Sequence, residues 1–231
     1  SDDSPVPEII TGSGEWSELD LTIHPNSFAL NGYCASSDSA EGWKNSIRGQ
    51  SSQTMENDRF LPASTVAFVS YSLSNFNSWM TERSADPLRN PDEASSDELK
   101  KNGFDAGETI GSWIGNEFTM AQTMIPGEGT RKFAVIAAAS IELAKEKLQA
   151  INLDTGTAVT DSSLAQVHRI KLNGILPAVF GNTFAGMNEV SYILSADRVI
   201  FGENASSLLA FNGYLRSNVT LDRNAAYADF R

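Results

Sequence analysis

One local order recurs three times along the chain: a strand, a turn, a second strand and a short amphipathic helix. Residues 16–48 carry it first, with two strands about the turn His24-Pro25-Asn26-Ser27 and a helix near Trp43 and Ile47. Residues 117–151 repeat it, from EFTMAQTM through a Pro126-Gly127 turn to FAVIAAAS and the helical stretch IELAKEKLQAI. Residues 189–216 do so again, with a turn at Ala196-Asp197-Arg198 and a helix from Asn204. Strands joined by a few residues must run antiparallel, because a parallel pair needs a crossover of a dozen residues or more. The expected fold is therefore α+β, an antiparallel sheet built from repeated β-β-α units with helices packed on one face and the other face partly exposed. Uneven spacing between the units disfavours a solenoid or a propeller.

Between these units the pattern varies. Residues 1–15 carry Pro, Ser, Gly and acids and read as an N-terminal arm. In 18–24, Leu19, Leu21 and Ile23 alternate with Glu18, Asp20, Thr22 and His24, the period of a strand with one wet face. Residues 49–59 are polar and read as a connector, the best internal boundary, between a hairpin plus helix at 16–52 and the main unit at 60–231. The run after Leu61 has Val66 and Phe68 on one parity and Val69 and Tyr71 on the other, which predicts a central strand buried on both sides. Ser74 is the expected cap of a helix burying Phe76, Trp79 and Met80. Residues 84–98 hold two prolines and five acids and read as a loop. A further helix is expected to end at Gly115, and Ser140 and Asn204 are expected to cap the second and third unit helices. A strand is expected over 166–173 and an irregular Gly/Pro segment over 174–188.

Composition excludes more than it identifies. Seventeen basic residues against 29 acidic ones give a net charge of −12, so the chain lacks the basic surface that phosphate backbones and anionic membranes select. Cys34 is the only cysteine, which rules out an intrachain disulfide and a thiolate metal cage; on a strand it reads as a small buried apolar residue. No run of apolar residues reaches the length of a membrane span. The chain opens on Ser1 without Met and stops at Arg231 inside a new helical pattern, so a piece of a longer or processed protein is expected.

Several segments taken together resemble a known family. Leu61-Pro62-Ala63-Ser64-Thr65 leading into a strand, Trp113-Ile114-Gly115-Asn116-Glu117 before a hairpin, FAVIAAASIELAKEKL, and YILSADRVIFGENASSLLAF before a helix near Tyr227 are similar to the uncharacterised DUF3352-type bacterial envelope proteins. Residues 16–34 resemble a segment of related Bacteroidetes lipoproteins that precedes a fresh copy of the Leu-Pro unit. The resemblance covers most of 60–231 and rests on packing patterns. It implies an exported, often lipid-anchored protein, and it carries over no catalytic residues.

Chemistry-bearing residues are few. Asp20 and His24 share a strand face, with roughly 7 Å between alternate side chains, and are the one sequence-local acid–base pair; a solvated face before a His-Pro turn explains them better. His168 is in register with Ile170 and Leu172, which suits a core histidine. Asp86, Asp92, Glu93, Asp97 and Glu98 lack calcium-loop spacing and read as a solvated cluster. No G-x-S-x-G, H-E-x-x-H or phosphate-binding glycine motif is present. Gly107, Gly111 and Gly115 recur at fourfold spacing, attributed to caps and tight packing, and Trp16, Trp43, Trp79 and Trp113 are expected in core or staple packing rather than as a sugar platform.

The leading expectation is a non-catalytic, extracytoplasmic interaction or structural module of a bacterial cell-envelope protein, with no catalytic, cofactor or metal residues and an unidentified protein or envelope component as partner. The alternatives are a carboxylate-dependent hydrolase using the 86–98 loop or the Asp20/His24 face, and a carbohydrate- or lipid-binding domain. An enzyme requires converging acids in a cleft, whereas a binding module requires an exposed apolar patch or an unpaired sheet edge.

Overall fold

The computed structural model describes residues 16–24, 27–35, 47, 49–84, 100–101, 103–152, 159–160 and 166–228. Strands β1 (Trp16–His24) and β2 (Ser27–Ala35) form a two-stranded antiparallel hairpin of their own, with Leu21 opposite Leu30 and Ile23 opposite Phe28. The main sheet takes β3 (Thr65–Ser72), β4 (Ile114–Ile125), β5 (Gly129–Ala138), β6 (Val159–Thr160), β7 (Gln166–Arg169), β8 (Ser191–Ser195) and β9 (Arg198–Gly202). Its seven strands lie in the order β3-β4-β5-β9-β8-β7-β6, and every neighbouring pair is antiparallel. The fold is α+β with an antiparallel sheet, as the hairpin pattern requires.

The longest hairpin, β4–β5, turns through Pro126, Gly127 and Glu128, and Gly127 and Gly129 have φ of 79° and 77°, where a side chain would be strained. It joins the β8–β9 hairpin through β5 and β9, with Val135 opposite Ile200 and Ile136 opposite Val199. These central strands are apolar on both parities, and each parity feeds a separate core. Phe118, Ala134, Ile136, Tyr192, Val199 and Phe201 enter one; Ala121, Phe133, Val135, Ile193 and Ile200 enter the other.

Helices cover both faces, which corrects the expectation of a single helical face. On the first face, α1 (Phe76–Ser84), α2 (Ala106–Gly111), α3 (Ile141–Gln149) and α4 (Ile175–Phe180) supply Phe76, Trp79, Ile110, Leu148 and Phe180. Phe118 sits among rings there, 4.6 Å from Phe180, 4.9 Å from Tyr71 and 5.1 Å from Trp79. On the second face, α5 (Ala205–Arg216) buries Leu208 and Phe211, with Phe211 4.4 Å from Phe133. Leu61 and Leu221 close that core, and the short α6 (Ala225–Ala228) follows.

The order strand-turn-strand-helix thus holds for 114–149 and 191–216, yet the two are not copies of one packing unit. The cause is the pleat. Ala138, the last residue of β5, has the parity of Ala134 and Ile136, and α3 lands on their face; Gly202, the last of β9, pairs with Phe133 on the other face, and α5 lands there. A one-residue difference in parity sends the following helix to the opposite side of a sheet. The helix expected after β2 lies outside the described residues apart from Ile47.

Several local expectations change. The cap of α1 is Asn75, whose Oδ1 accepts from the Ser78 N–H at 2.9 Å, while Ser74 Oγ instead donates to Gln50 Oε1 at 3.0 Å. Helix α2 ends before Gly115, which lies in β4, where a Cβ would come within 3.3 Å of Ala137; close strand packing, not capping, favours glycine there. Ser140 and Asn204 cap α3 and α5 as their positions suggest, accepting from Leu143 N at 3.2 Å and Ser207 N at 2.8 Å. The segment 174–188 contains α4, six residues that are all buried; being apolar on every side and interrupted by Pro177, it has no helical periodicity to read. The strand at 166 ends at Arg169 rather than 173. Most consequential, β3 is not central. It is the outermost strand at one end of the sheet.

Candidate functional site

Two features stand out from the packed scaffold: a buried polar cluster on the second face and the outer edge beside it. The cluster begins with register. Ser72 is paired with Glu117 on β4, and Ala137 on β5 is paired with Arg198 on β9. Glu117 and Arg198 therefore lie across β5, about 10 Å apart at two strand spacings, and the small Ala137 between them lets the long side chains converge. The guanidinium Nη2 comes 3.9 Å from Glu117 Oε2, and both side chains are 6 % exposed.

The segment 56–60 roofs this pair. Glu117 accepts from the backbone N–H groups of Glu56 and Asn57 at 3.1 Å and from the Ser70 and Ser72 hydroxyls at 3.3 Å. Asn57 is fully buried; its Nδ2 donates to Thr119 Oγ1 at 2.9 Å and to the Val135 carbonyl at 3.1 Å, and its Oδ1 accepts from Arg198 Nε at 2.7 Å. Arg198 Nη1 meets Asp197 at 2.6 Å, and the guanidinium lies 4.7 Å from the centre of the Phe60 ring. Removed from water, such groups must pair among themselves, and here the carboxylate, amide and guanidinium do so. The polar stretch 49–59, expected as a connector, is accordingly sewn to the sheet, with Gln50 and Ser51 also bonded to Asn75 and Ser74. A carboxylate bonded on every side to its own fold is an anchor; a general base needs a lone pair aimed at substrate.

The open edge lies next to it. Among the described residues β3 pairs only with β4. Val66 is 59 % exposed, Val69 45 % and Met124, on the adjoining strand, 46 %. The eight residues of β3, TVAFVSYS, contain no charge and no proline. Natural edge strands carry Lys, Pro or inward charges to block further pairing; this one has only a bulge between Thr65 and Ala67.

Among the described residues, those singled out for chemistry are not brought together. Asp20 is exposed on β1, and the side chain of His24 lies outside the described residues, as do those of Cys34, Trp16 and Trp43 and the whole acidic loop 86–98. His168 is on β7 in the other sheet, half-buried and stacked on Tyr192 at 5.1 Å; burial, and then the charge of Lys145, lower its pKa. Trp79 and Trp113 are buried in the first core, where Trp113 Nε1 donates to the Thr109 carbonyl at 2.9 Å. Among the described residues no group of three potential metal ligands occurs, and none of their helices is long and apolar enough to cross a membrane. Sequence reasoning passed over Glu117, Arg198 and Asn57. The available signal was a lone charge within an otherwise uncharged strand, at Glu117 in IGNEFTM and Arg198 in RVIFG. No protein-family model, curated protein or solved structure matches the chain.

Proposed function

We propose that the chain is a non-catalytic interaction module of an extracytoplasmic bacterial envelope protein, and that it engages its partner by strand addition at the outer edge of β3. The observation that carries the reading is the mismatch between the composition of β3 and its place. Its apolar residues on both parities belong to a strand with neighbours on both sides, yet among the described residues it has one neighbour, and Val66 and Val69 are exposed. An added strand supplies the missing backbone hydrogen bonds and covers those side chains. The anchor at Glu117 and Arg198 supports the reading too, because it stiffens the sheet beside that edge. The extracytoplasmic location rests on the resemblance to envelope proteins.

A photo-crosslinking residue at Val69, in cells that make the protein, tests this. Discrete protein adducts at Val69, missing when the same group replaces the exposed Glu146 on α3, are expected. Identical labelling from both positions contradicts the proposal.

A further inference from the structure

The chain carries a second unsatisfied element that fits the first. The β1–β2 hairpin forms a separate two-stranded sheet, and Leu21 and Ile23 on one of its faces are 57 % and 75 % exposed. A two-stranded ribbon is marginal in water unless its apolar face is covered or further strands join it. We infer that two copies of this chain exchange hairpins, β1 of each adding to the outer edge of β3 of the other; this rests on the strand-addition reading and names its occupant.

Complementarity of pattern points to this partner. Over 68–72 β3 puts Val69 and Tyr71 on one side and Phe68, Ser70 and Ser72 on the other. Strand β1 alternates as well, Leu21 and Ile23 against Glu18 and Asp20. Laid side by side, the apolar parity of β1 continues the first face beside Val69, and its polar parity lies beside Ser70 and Ser72. A slip of one residue reverses both, so the register is specified. The lengths match, nine residues against eight. Charge also agrees: in a chain of net −12, β3 is free of acids, so the acids of β1 meet no like charge directly opposite. In a lone copy the hairpin and the edge belong to different sheets, and reciprocal exchange satisfies both while closing a two-fold dimer.

Sedimentation of the full chain over a concentration series tests the inference. The expected result is a monomer–dimer equilibrium in which Leu21→Asp with Ile23→Asp, and separately Val69→Lys, each raise the dissociation constant by about tenfold or more. All these positions are exposed, so circular dichroism and the thermal midpoint of the variant monomers should stay unchanged. In a Cys34→Ser background, Leu21→Cys protein mixed with Val69→Cys protein should give an interchain crosslink. A monomer at every concentration overturns the inference, as does a dimer indifferent to the hairpin variant. A crosslink formed only within a chain carrying both cysteines overturns it too. Each of these failures leaves the Val69 photo-crosslinking result to decide the strand-addition reading separately.

Discussion

Arg198 and Glu117 show how much one residue can hold in this fold. Each is nearly inaccessible, and between them they fix the backbone of Glu56 and Asn57 over the sheet. Replacing one partner strands the other charge in a low-dielectric site. Arg198→Ala should therefore cost about 3–5 kcal/mol, read as a lowered denaturant midpoint, while an Arg198→Met, Glu117→Leu double variant recovers part of that loss. His168 gives a smaller, pH-dependent effect. Its pKa is lowered from the ordinary 6.5 by burial and by Lys145, so the unfolded chain binds the proton more readily. Its contribution is present above pH 6.5 and is lost as the pH falls below that value toward the folded pKa. A His168→Phe variant should thus lose less stability than the parent between neutral and mildly acid pH, in paired thermal melts. None of these roles follows from residue type: a histidine among Ile170 and Leu172 reads as core, but its stacking on Tyr192 depends on a strand far away in sequence.

At the scale of the element, the hairpins were legible and their surroundings were not. Alternation and turn residues are local, so β1, β2, β4, β5, β8 and β9 and the caps Ser140 and Asn204 follow from short stretches of sequence. Which face a following helix covers depends on where the strand ends in the pleat, and boundaries are the least readable property of a strand. The end of β9 makes this testable. A Cβ on Gly202 would sit 2.9 Å from Leu208 Cγ and 3.0 Å from the Phe133 ring, so α5 approaches the sheet only because that position is bare. Gly202→Ala should destabilise the protein by about 1–3 kcal/mol through overpacking, seen in equilibrium unfolding, whereas Gly213→Ala, with open space around it, should be neutral or stabilising. Helix α4 was invisible for the opposite reason: with all six residues buried it has no polar face to set a period.

For the whole molecule, strand order decides what the surface can do, and strand order is the part that local pattern does not encode. The composition of β3 predicts a central strand, while pairing puts it at the end of the row. That disagreement, and not any cluster of reactive side chains, is the basis for reading the chain as an interaction module. The sheet behind the edge is held by cores on both faces and by the Glu117–Arg198 anchor. Hydrogen exchange of the β3 amides tests the claim most directly. In dilute protein, the alternate amides that point away from β4 should exchange at rates near those of unstructured peptide while their neighbours are protected; raising the concentration should slow the outward set, and Val69→Lys should keep it fast. Outward amides that are slow at every concentration would contradict the account, because the edge would then already be covered within the chain.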